Sequence, residues 1–429
     1  MLVIIRLILA LFFAFWMLIL TSCKKKLDEI IPDITIQQPL SQSSFSINDT
    51  ISIIGFAQDN ENLKRIEISL IDDNLRNISV KKIVEASGIY FDFKENIYLN
   101  NPSLESGTYF IKAKVWDEND NTISKFIEIN FVANEREFKG FFIATTQNEM
   151  SHIKYIDLNN NISSYNSYSG NYKLAEINSK NQYLFLATSQ RAIAFEIDSS
   201  NILWSIPPNL SPYQYFNKVF LDSGDDHLYV VFGDGRILAY NKYGQVVNSL
   251  FAIEQEWFGE ILVDGNFIIT EVFSNNINRF IAVYFKTSGV ENKRTQITGE
   301  VAKIIKYQEN LYLFAINYLN NSTIYYYDVN SNVSWIELEI TGSIIYDILA
   351  INNNLTIATN IGLFNYNLVT NNLEVVVDQT PFYEMKYESD GDFLLLNSGR
   401  QIWNLNYGFS PNLIYTSNDS ICQMMLHYR

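Results

Sequence analysis

Residues 344–377 read IIYDILAINNNLTIATNIGLFNYNLVTNNLEVVV and contain four short β-strand patterns separated by polar turns. The four patterns cover residues 344–350, 355–359, 362–367 and 373–377. The same unit recurs along the chain, with second strands that begin at residues 141, 184, 228, 267, 311, 355 and 393. A repeat of about 40 to 45 residues with four strands in each unit is typical of a β-propeller, and seven units predict seven blades.

The two ends of this repeat region indicate how the ring closes. The first unit has no inner strand of its own, and the chain ends with an unmatched strand pattern at 420–428. Inner strands such as 344–350 are nearly continuous apolar runs, which is expected when both faces pack between blades. We therefore predict a seven-bladed propeller over residues 140–429 in which the last strand completes the first blade.

Two blades resemble known propeller repeats. Residues 227–241, HLYVVFGDGRILAYN, look like the YVTN- and WD40-like repeats of quinoprotein-type propellers. Residues 355–366, LTIATNIGLFNY, are similar to the sensor propellers of two-component regulators. The quinoprotein resemblance implies an enzyme with calcium, a catalytic carboxylate and a tryptophan stacked on a quinone, in a ring that is generally eight-bladed. Trp204 and Trp335 fall in predicted outer strands, where that family uses tryptophan for packing between blades, so we assign no quinone site.

A different all-β unit precedes the propeller, at residues 33–132. Its predicted strands are 34–36, 50–57, 63–71, 79–85, 90–98, 108–116 and 123–132. Seven short strands in about 100 residues are typical of an immunoglobulin-like β-sandwich. Residues 107–117, GTYFIKAKVWD, and 55–61, GFAQDNE, resemble bacterial Ig-like and cadherin-like repeats. A polar linker at 133–139 separates this unit from the propeller.

The predicted sandwich carries two acidic loops. Residues 117–121, DENDN, match the DxNDN string that cadherin repeats use for calcium, and residues 59–62 form a second acidic cluster. Ca²⁺ prefers six to eight oxygen ligands. The candidate metal ligands are Asp59, Glu61, Asp117, Asn119 and Asp120. The alternative is a simple hairpin turn, because a strand at 123–132 follows the string, and Asp and Asn favour turns.

The N-terminus has the layout of a secretory signal peptide. Residues 1–6 carry one positive charge, residues 7–20 are apolar, and small residues precede Cys23. An apolar run of this length is shorter than the roughly 20 residues of a membrane-spanning helix. Residues 20–23, LTSC, resemble the lipobox of bacterial lipoproteins of Bacteroidetes type, which implies cleavage after residue 22, lipid on Cys23 and a tether at 23–32. Residue 24 is Lys rather than the Asp that retains enterobacterial lipoproteins at the inner membrane, so we expect an outer-membrane anchor, on the periplasmic or the cell-surface side.

Composition and motifs exclude several classes of function. The net charge of -16 argues against nucleic acid as a partner, since phosphates require a basic surface. The chain has three histidines without HxxxH or HExxH spacing, and it lacks a GxSxG elbow, a P-loop and a CxxC pair. With two cysteines, one of them Cys23, no disulfide framework is expected. We therefore expect no enzyme activity and no cofactor other than a Ca²⁺ ion.

Two neighbouring loops of the predicted propeller are rich in aromatic residues. Residues 207–216 and 251–259 connect outer strands to the next inner strands and contribute the candidate partner-binding residues Tyr213, Tyr215, Trp257 and Phe258. Tyr and Trp are frequent at interface hot spots. The alternative is that Phe216 and Phe258 begin inner strands and pack in the core.

These features predict a membrane-anchored, non-catalytic binding or adhesion lipoprotein that presents its propeller to a protein or glycan. The alternatives are an outer-membrane assembly scaffold of the propeller-lipoprotein type and a degenerate quinoprotein enzyme.

Overall fold

The computed structural model describes residues 30–73, 75–100, 104, 106–133, 136–207, 215–274, 278–406 and 410–429. In this part of the chain the regular elements are all β-strands, which confirms the all-β prediction, and no helix there is long and apolar enough to cross a membrane. The chain divides into two compact units, Met1–Glu135 and Arg136–Arg429. The boundary falls inside the polar segment 133–139.

Eight strands form the described part of the first unit. They are β1 (Asp33–Gln38), β2 (Ser43–Ser46), β3 (Thr50–Gln58), β4 (Leu63–Ile71), β5 (Lys82–Glu85), β6 (Tyr90–Tyr98), β7 (Gly107–Asp117) and β8 (Thr122–Val132). One sheet has the order β1-β3-β6 and the other the order β2-β8-β7-β4-β5. The short strand β2 was not predicted; it pairs in parallel with β8 through the polar sequence SSFS.

The two sheets of this unit share one apolar core. Along β3, buried residues alternate with partly exposed ones, which places Ile51 and Ile53 on the inner face. They pack in a single cluster with Ile66 and Ile68 of β4 and Val115 of β7. Alternation with a period of two residues thus gives each sheet one apolar face.

The second unit contains 28 described strands, which follow one another along the chain as three strands, six groups of four and one last strand. They are β9 (Phe138–Gln147), β10 (Met150–Asp157), β11 (Ile162–Ser169); β12 (Tyr172–Asn178), β13 (Tyr183–Thr188), β14 (Ala192–Glu196), β15 (Ile202–Ile206); β16 (Phe216–Asp222), β17 (His227–Phe232), β18 (Arg236–Tyr240), β19 (Val246–Phe251); β20 (Trp257–Asp264), β21 (Phe267–Ser274), β22 (Asn278–Phe285), β23 (Glu291–Ile297); β24 (Glu300–Gln308), β25 (Leu311–Tyr318), β26 (Asn321–Asp328), β27 (Val333–Ile340); β28 (Ile345–Ile351), β29 (Asn354–Thr359), β30 (Gly362–Asn367), β31 (Asn372–Asp378); β32 (Glu384–Glu388), β33 (Phe393–Asn397), β34 (Gln401–Asn406), β35 (Asn412–Thr416); and β36 (Ile421–Tyr428).

These strands build seven antiparallel four-stranded sheets within the described residues. In six sheets the strands follow chain order, from β12–β15 (blade 2) to β32–β35 (blade 7). Blade 1 has the order β11-β10-β9-β36, so its inner strand is the last strand of the chain. Each inner strand contacts the inner strand of the next blade, and β36 contacts β12, which closes the ring. The fold of this unit is therefore a β-propeller, as the repeat predicted.

The apolar core of the propeller lies between neighbouring blades. The second strand of blade 2, β13, is buried at every position. Leu186 of that strand packs in one cluster with Phe142 and Met425 of blade 1, while its neighbour Phe185 packs in another with Val230 of blade 3. Residues on both faces of a blade are therefore buried, which explains the continuous apolar runs.

Antiparallel order also fixes which loops share a face of the ring. The connections into the inner strands and the turns between second and third strands lie at the same end of each blade. We call this end, where inner strands begin at residues such as Tyr172, Phe216 and Ile345, the start face.

Candidate functional site

Six of the seven inner strands each have a β-bulge close to their first residue. In blades 1 to 6 the pairing between the inner strand and the second strand shifts register at this point. The shifts fall between Ile421 and Gln423, Tyr172 and Leu174, Phe216 and Lys218, Phe258 and Ile261, Val301 and Lys303, and Ile345 and Asp347. A bulge bends a strand and re-aims its side chains. Polar residues beside the bulges therefore turn toward the axis of the ring.

These polar residues line a cavity of about 430 Å³ to which all seven inner strands contribute. We call it the channel cavity. Its charged residues are Lys173, Glu176, Lys218, Glu260, Lys303, Asp347, Glu384 and Lys386. Four carboxylates thus face four ammonium groups, and their formal charges cancel.

Two ion pairs in the channel cavity join neighbouring blades. Lys218 of blade 3 lies 2.8 Å from Glu260 of blade 4, and Lys303 of blade 5 lies 3.5 Å from Asp347 of blade 6. Both carboxylates are nearly buried, whereas both lysine side chains keep more than a third of their surface exposed. The lysine amines are therefore held by carboxylates, while parts of both lysine side chains stay exposed.

Side chains in the channel also hold the backbone of the next blade. The Met385 amide donates to the Asp347 carboxylate at 3.0 Å, and the Met424 amide donates to the Glu384 carboxylate at 2.7 Å. From blade 1 to blade 2, the Ala175 amide donates to the Gln423 side-chain oxygen at 3.1 Å. These bonds provide partners for amide groups of the inner strands, each of which pairs with another strand on one side only.

The environment of the channel cavity shifts the pKa values of two of its charged side chains. Burial raises the pKa of Glu384 to about 7, although the nearby Lys386 ammonium, 3.3 Å away, opposes the shift. The Asp347 charge raises the pKa of Lys303, against the effect of burial. Glu384 therefore changes its protonation state near neutral pH, while Lys303 stays charged.

The described ends of the two aromatic loops predicted to bind a partner attach to one turn on the start face. The Gly233 amide donates to the Tyr215 carbonyl oxygen at 2.8 Å, and the Ala252 amide donates to the Gly235 carbonyl oxygen at 2.8 Å. One turn of blade 3 thus holds both loops. Gly235 has φ +83, and a Cβ there would lie 3.0 Å from the Glu256 carbonyl oxygen, so the turn requires glycine.

The predicted aromatic residues differ in how far they are accessible. Tyr215 is 50% exposed. Trp257 is partly buried and stacks on Phe273, with ring centroids 6.1 Å apart. Tyr213 lies outside the described residues. Tyr215 and Trp257 remain candidates for partner binding.

The prediction that Phe258 binds a partner is wrong. Phe258 is the second residue of the inner strand β20 and is 0% exposed. Its ring meets Tyr284 edge-on, with centroids 5.9 Å apart, inside the cluster between blades 3 and 4. The physical reason is that β20 already begins at Trp257, whereas the predicted loop extended to residue 259. Position 258 therefore lies in the strand and faces the core.

A second aromatic pair on the start face was not predicted. Tyr346 and Tyr383 pack with ring centroids 5.0 Å apart, and both are more than a third exposed. Each directly precedes a channel carboxylate, Asp347 or Glu384. The dipeptides YD and YE at equivalent places in two repeats were the signal that would have located them.

The proposed calcium ligands lie in and beside one hairpin turn of the first unit. Asp117 is 0% exposed, and its carboxylate accepts the amides of Asn119 and Asn121, both at 2.8 Å. Asp120 forms an ion pair with Lys64 at 2.5 Å, and the Asn119 side chain donates to Glu61 at 2.6 Å. The turn thus brings most of the predicted ligands together, with their oxygen atoms engaged by protein groups.

Asp59 belongs to the neighbouring loop, where its carboxylate accepts the Glu61 amide at 3.4 Å. Among the residues the structure describes, no group of three or more His, Cys, Asp or Glu side chains is arranged to hold a metal ion. The Ca²⁺ site stays a prediction.

Of the tryptophans considered for a quinone site, Trp204 packs between two blades and Trp335 packs within one. Trp204 of β15 stacks on Tyr240 of blade 3, with centroids 5.6 Å apart, and its indole N–H donates to the Lys242 carbonyl oxygen at 3.1 Å. Trp335 of β27 packs on Tyr326 of its own blade at 5.2 Å.

Comparison with known proteins adds little beyond the fold. No protein-family model matches the chain, and no curated protein matches it. Solved structures that are similar include the Dos1 propeller, with a TM-score of 0.48 and 13% identity over 72% of this chain and 83% of that chain. The number of blades and the ring closure rest on the strand pairing described above.

Proposed function

We propose that this protein is a lipid-anchored, non-catalytic binding protein whose propeller recognises a protein or glycan partner on the start face. The observation that carries the proposal is the joining of two aromatic loops on one turn of blade 3, at the face where the channel cavity begins. Tyr215 lies two residues before Asn217, which lines that cavity, and Trp257 lies three residues before Glu260. Exposed aromatic rings beside polar, hydrogen-bonding groups are typical of recognition surfaces.

The anchor in this proposal is lipid on Cys23 at the outer membrane, which lies outside the described residues. It is supported by the signal layout and by the lipobox-like residues 20–23. Several acyl chains retain a protein where one alone would let it leave, since each buried methylene contributes about 0.8 kcal/mol.

The first unit serves in this proposal as an immunoglobulin-like stalk. Its support is the strand order. Strands β1, β3 and β6 form one sheet, and β4, β7 and β8, which correspond to strands C, F and G of an immunoglobulin-like fold, lie side by side in the other. A fold of this type specifies architecture and not activity.

The binding face is tested with a triple variant, Tyr213→Ala, Tyr215→Ala and Trp257→Ala, in the full chain. We expect it to fold normally and to lose the partner proteins or glycans that the wild type retains from cell envelopes. The matched control is Tyr243→Ala, because Tyr243 is 69% exposed and lies in a turn at the opposite end of blade 3. Unchanged retention by the folded triple variant would exclude this face.

The anchor is tested separately with Cys23→Ser. The variant should lose lipid labelling and remain uncut or leave the membrane fraction. Wild-type labelling and retention would contradict lipid attachment at Cys23.

A further inference from the structure

We propose that the channel cavity binds one neutral sugar unit, either free or at the end of a glycan. This inference deepens the proposed function, because it assigns a ligand class and a site to the glycan side of it. It depends on the size of the cavity, the pairing of its charges and an aromatic pair on the start face, where two of its inner strands begin.

The size of the cavity suits a small ligand. Its volume of about 430 Å³ lies within the roughly 300–1,000 Å³ that is typical of ligand pockets. Such pockets are usually lined by apolar groups, whereas every inner strand here contributes polar or charged groups. The occupant should therefore be polar over most of its surface.

The balance of charges indicates a neutral ligand. Lys218 and Lys303 each lie within 4 Å of a carboxylate of the next blade, and Lys386 lies 3.3 Å from Glu384, whose pKa burial raises to about 7, so the cavity has no large net charge of either sign. A ligand with net charge would have to compete with one member of such a pair, and an uncompensated charge in an enclosed site is costly. A hydroxyl group avoids this cost, because it donates to a carboxylate and accepts from an ammonium group at the same time. Several adjacent hydroxyl groups are the defining chemistry of a sugar.

The two tyrosines on the start face supply the apolar part of sugar recognition. A pyranose ring has a face of C–H groups that packs against aromatic rings. Tyr346 and Tyr383 are tilted by 41° to each other and remain 38% and 46% exposed, so their rings have free surface. They directly precede Asp347 and Glu384 in the sequence, where the inner strands β28 and β32 begin.

Ligand-observed NMR with the full chain tests the inference. The panel contains neutral monosaccharides, neutral oligosaccharides, a uronic acid, an amino sugar and a short charged peptide. We expect saturation transfer from the protein to neutral sugars at millimolar concentration, and competition between free monosaccharides and oligosaccharides. Stronger transfer to oligosaccharides would identify a glycan end as the source, and equal transfer would identify the free sugar. Absence of transfer to every neutral sugar, or binding confined to the uronic acid, the amino sugar or the peptide, would overturn the inference.

Two variants locate the site. Tyr346→Ala with Tyr383→Ala changes exposed residues and should weaken sugar binding at least about tenfold without loss of folding, which corresponds to about 1.4 kcal/mol. Asp347→Asn removes one channel charge with little change of shape and should also weaken binding. Tyr243→Ala, at the other end of blade 3, should leave it unchanged. Wild-type affinity in both the folded double tyrosine variant and the folded Asp347→Asn variant would exclude the channel cavity.

The outcome is separable from that of the partner test. If sugars do not bind but the loop variant loses its partner, the proposed function stands and the channel inference fails. If sugars bind in the channel and the loop variant keeps its partner, the aromatic loops are excluded and the channel remains.

Discussion

The centre of the first unit and the centre of the propeller are built from opposite kinds of residue. In the first unit, apolar side chains such as Ile53, Ile68 and Val115 fill the space between two sheets and are 0% exposed. In the propeller the apolar clusters lie between blades, and charged residues such as Lys303 and Asp347 line the axis.

This difference follows from how each fold closes. Two sheets face to face exclude water from the whole interior. A ring of seven blades leaves an axis that its inner strands do not fill, so charges are tolerated there when they are paired. The position of a candidate site in this protein is therefore set by the geometry of closure.

The largest expected effect is loss of the ring closure. Deleting residues 420–428 removes Ile421, Met424 and Met425, which are all buried, and frees the edge of β9. Each such side chain contributes about 1.5–3 kcal/mol, so the loss is comparable to a typical total stability of about 5–15 kcal/mol. We expect calorimetry to show that the propeller transition is lost while the transition of the first unit remains.

The control for this deletion is Arg429→Ala. Arg429 pairs with Asp198 on the surface, with 58% of its side chain exposed, so its removal should change little. A deletion variant that stays monomeric and melts like the wild type would show that β36 does not close the ring.

The next effect concerns the pH dependence of propeller stability. Burial raises the pKa of Glu384 to about 7 in the folded chain, and in the unfolded chain it should be near the ordinary value of about 4.3. Between these values the folded state binds more protons, so the free energy of unfolding should fall as pH rises from about 4.3 to about 7. Glu384→Gln should remove up to about 4 kcal/mol of this fall, measured by denaturant unfolding at several pH values.

Gln423→Ala serves as the matched control, because Gln423 lines the same cavity and does not ionise. It should lower stability by a similar amount at every pH. If Glu384→Gln keeps the wild-type pH profile, Glu384 is not the titrating group of the channel.

A smaller loss of stability is expected at two hairpin turns that have the same hydrogen-bond pattern, and it should differ between them. Asp117 in the first unit and Asp157 in the propeller each accept two backbone amides and an Asn side chain four residues later. Asp117 is fully buried, so Asp117→Ala should lower the free energy of unfolding of the first unit by about 2 kcal/mol, because the two backbone amides lose their acceptor.

Asp157→Ala should cost the propeller less, since water can replace the acceptor at that partly exposed turn. Asp117→Asn keeps an acceptor oxygen and is the control. Equal losses from the two alanine variants would show that burial does not distinguish the turns.

The smallest effect is that of calcium on the first unit. A Ca²⁺ ion at Asp59, Glu61, Asp117, Asn119 and Asp120 would have to displace Lys64 from Asp120. We therefore expect millimolar Ca²⁺ to raise the free energy of unfolding of the first unit by about 1 kcal/mol. Lys64→Ala should increase this gain. If a chelator leaves the melting curves of both proteins unchanged, the acidic cluster is only a turn.

Much of the fold was predictable because period and alternation are local properties of a sequence. The repeat of second strands predicted the β-propeller, and the unmatched pattern 420–428 agrees with the pairing of β36 and β9. Strand β2 escaped prediction because its sequence, SSFS, has no apolar alternation and depends on its partner β8.

The channel cavity was much less predictable. A charge within an apolar inner strand, such as Lys218 in FNKVFLD or Asp347 in IYDILAI, is visible in the sequence, but the bulge that turns it to the axis is a property of strand pairing. Phe258 was misplaced for a related reason, because the start of β20 decides whether a ring faces solvent or core.

The pairing of β36 with β9 also bears on how the propeller folds. Met424 and Ile143 are paired but stand about 280 residues apart, so blade 1 cannot close until β36 is present. Bringing such distant segments together carries a loop-closure cost that a local hairpin does not have. Until β36 is in place, the edge of β9 stays open and is free to pair with other chains. Aggregation during folding should therefore begin at the edge of β9.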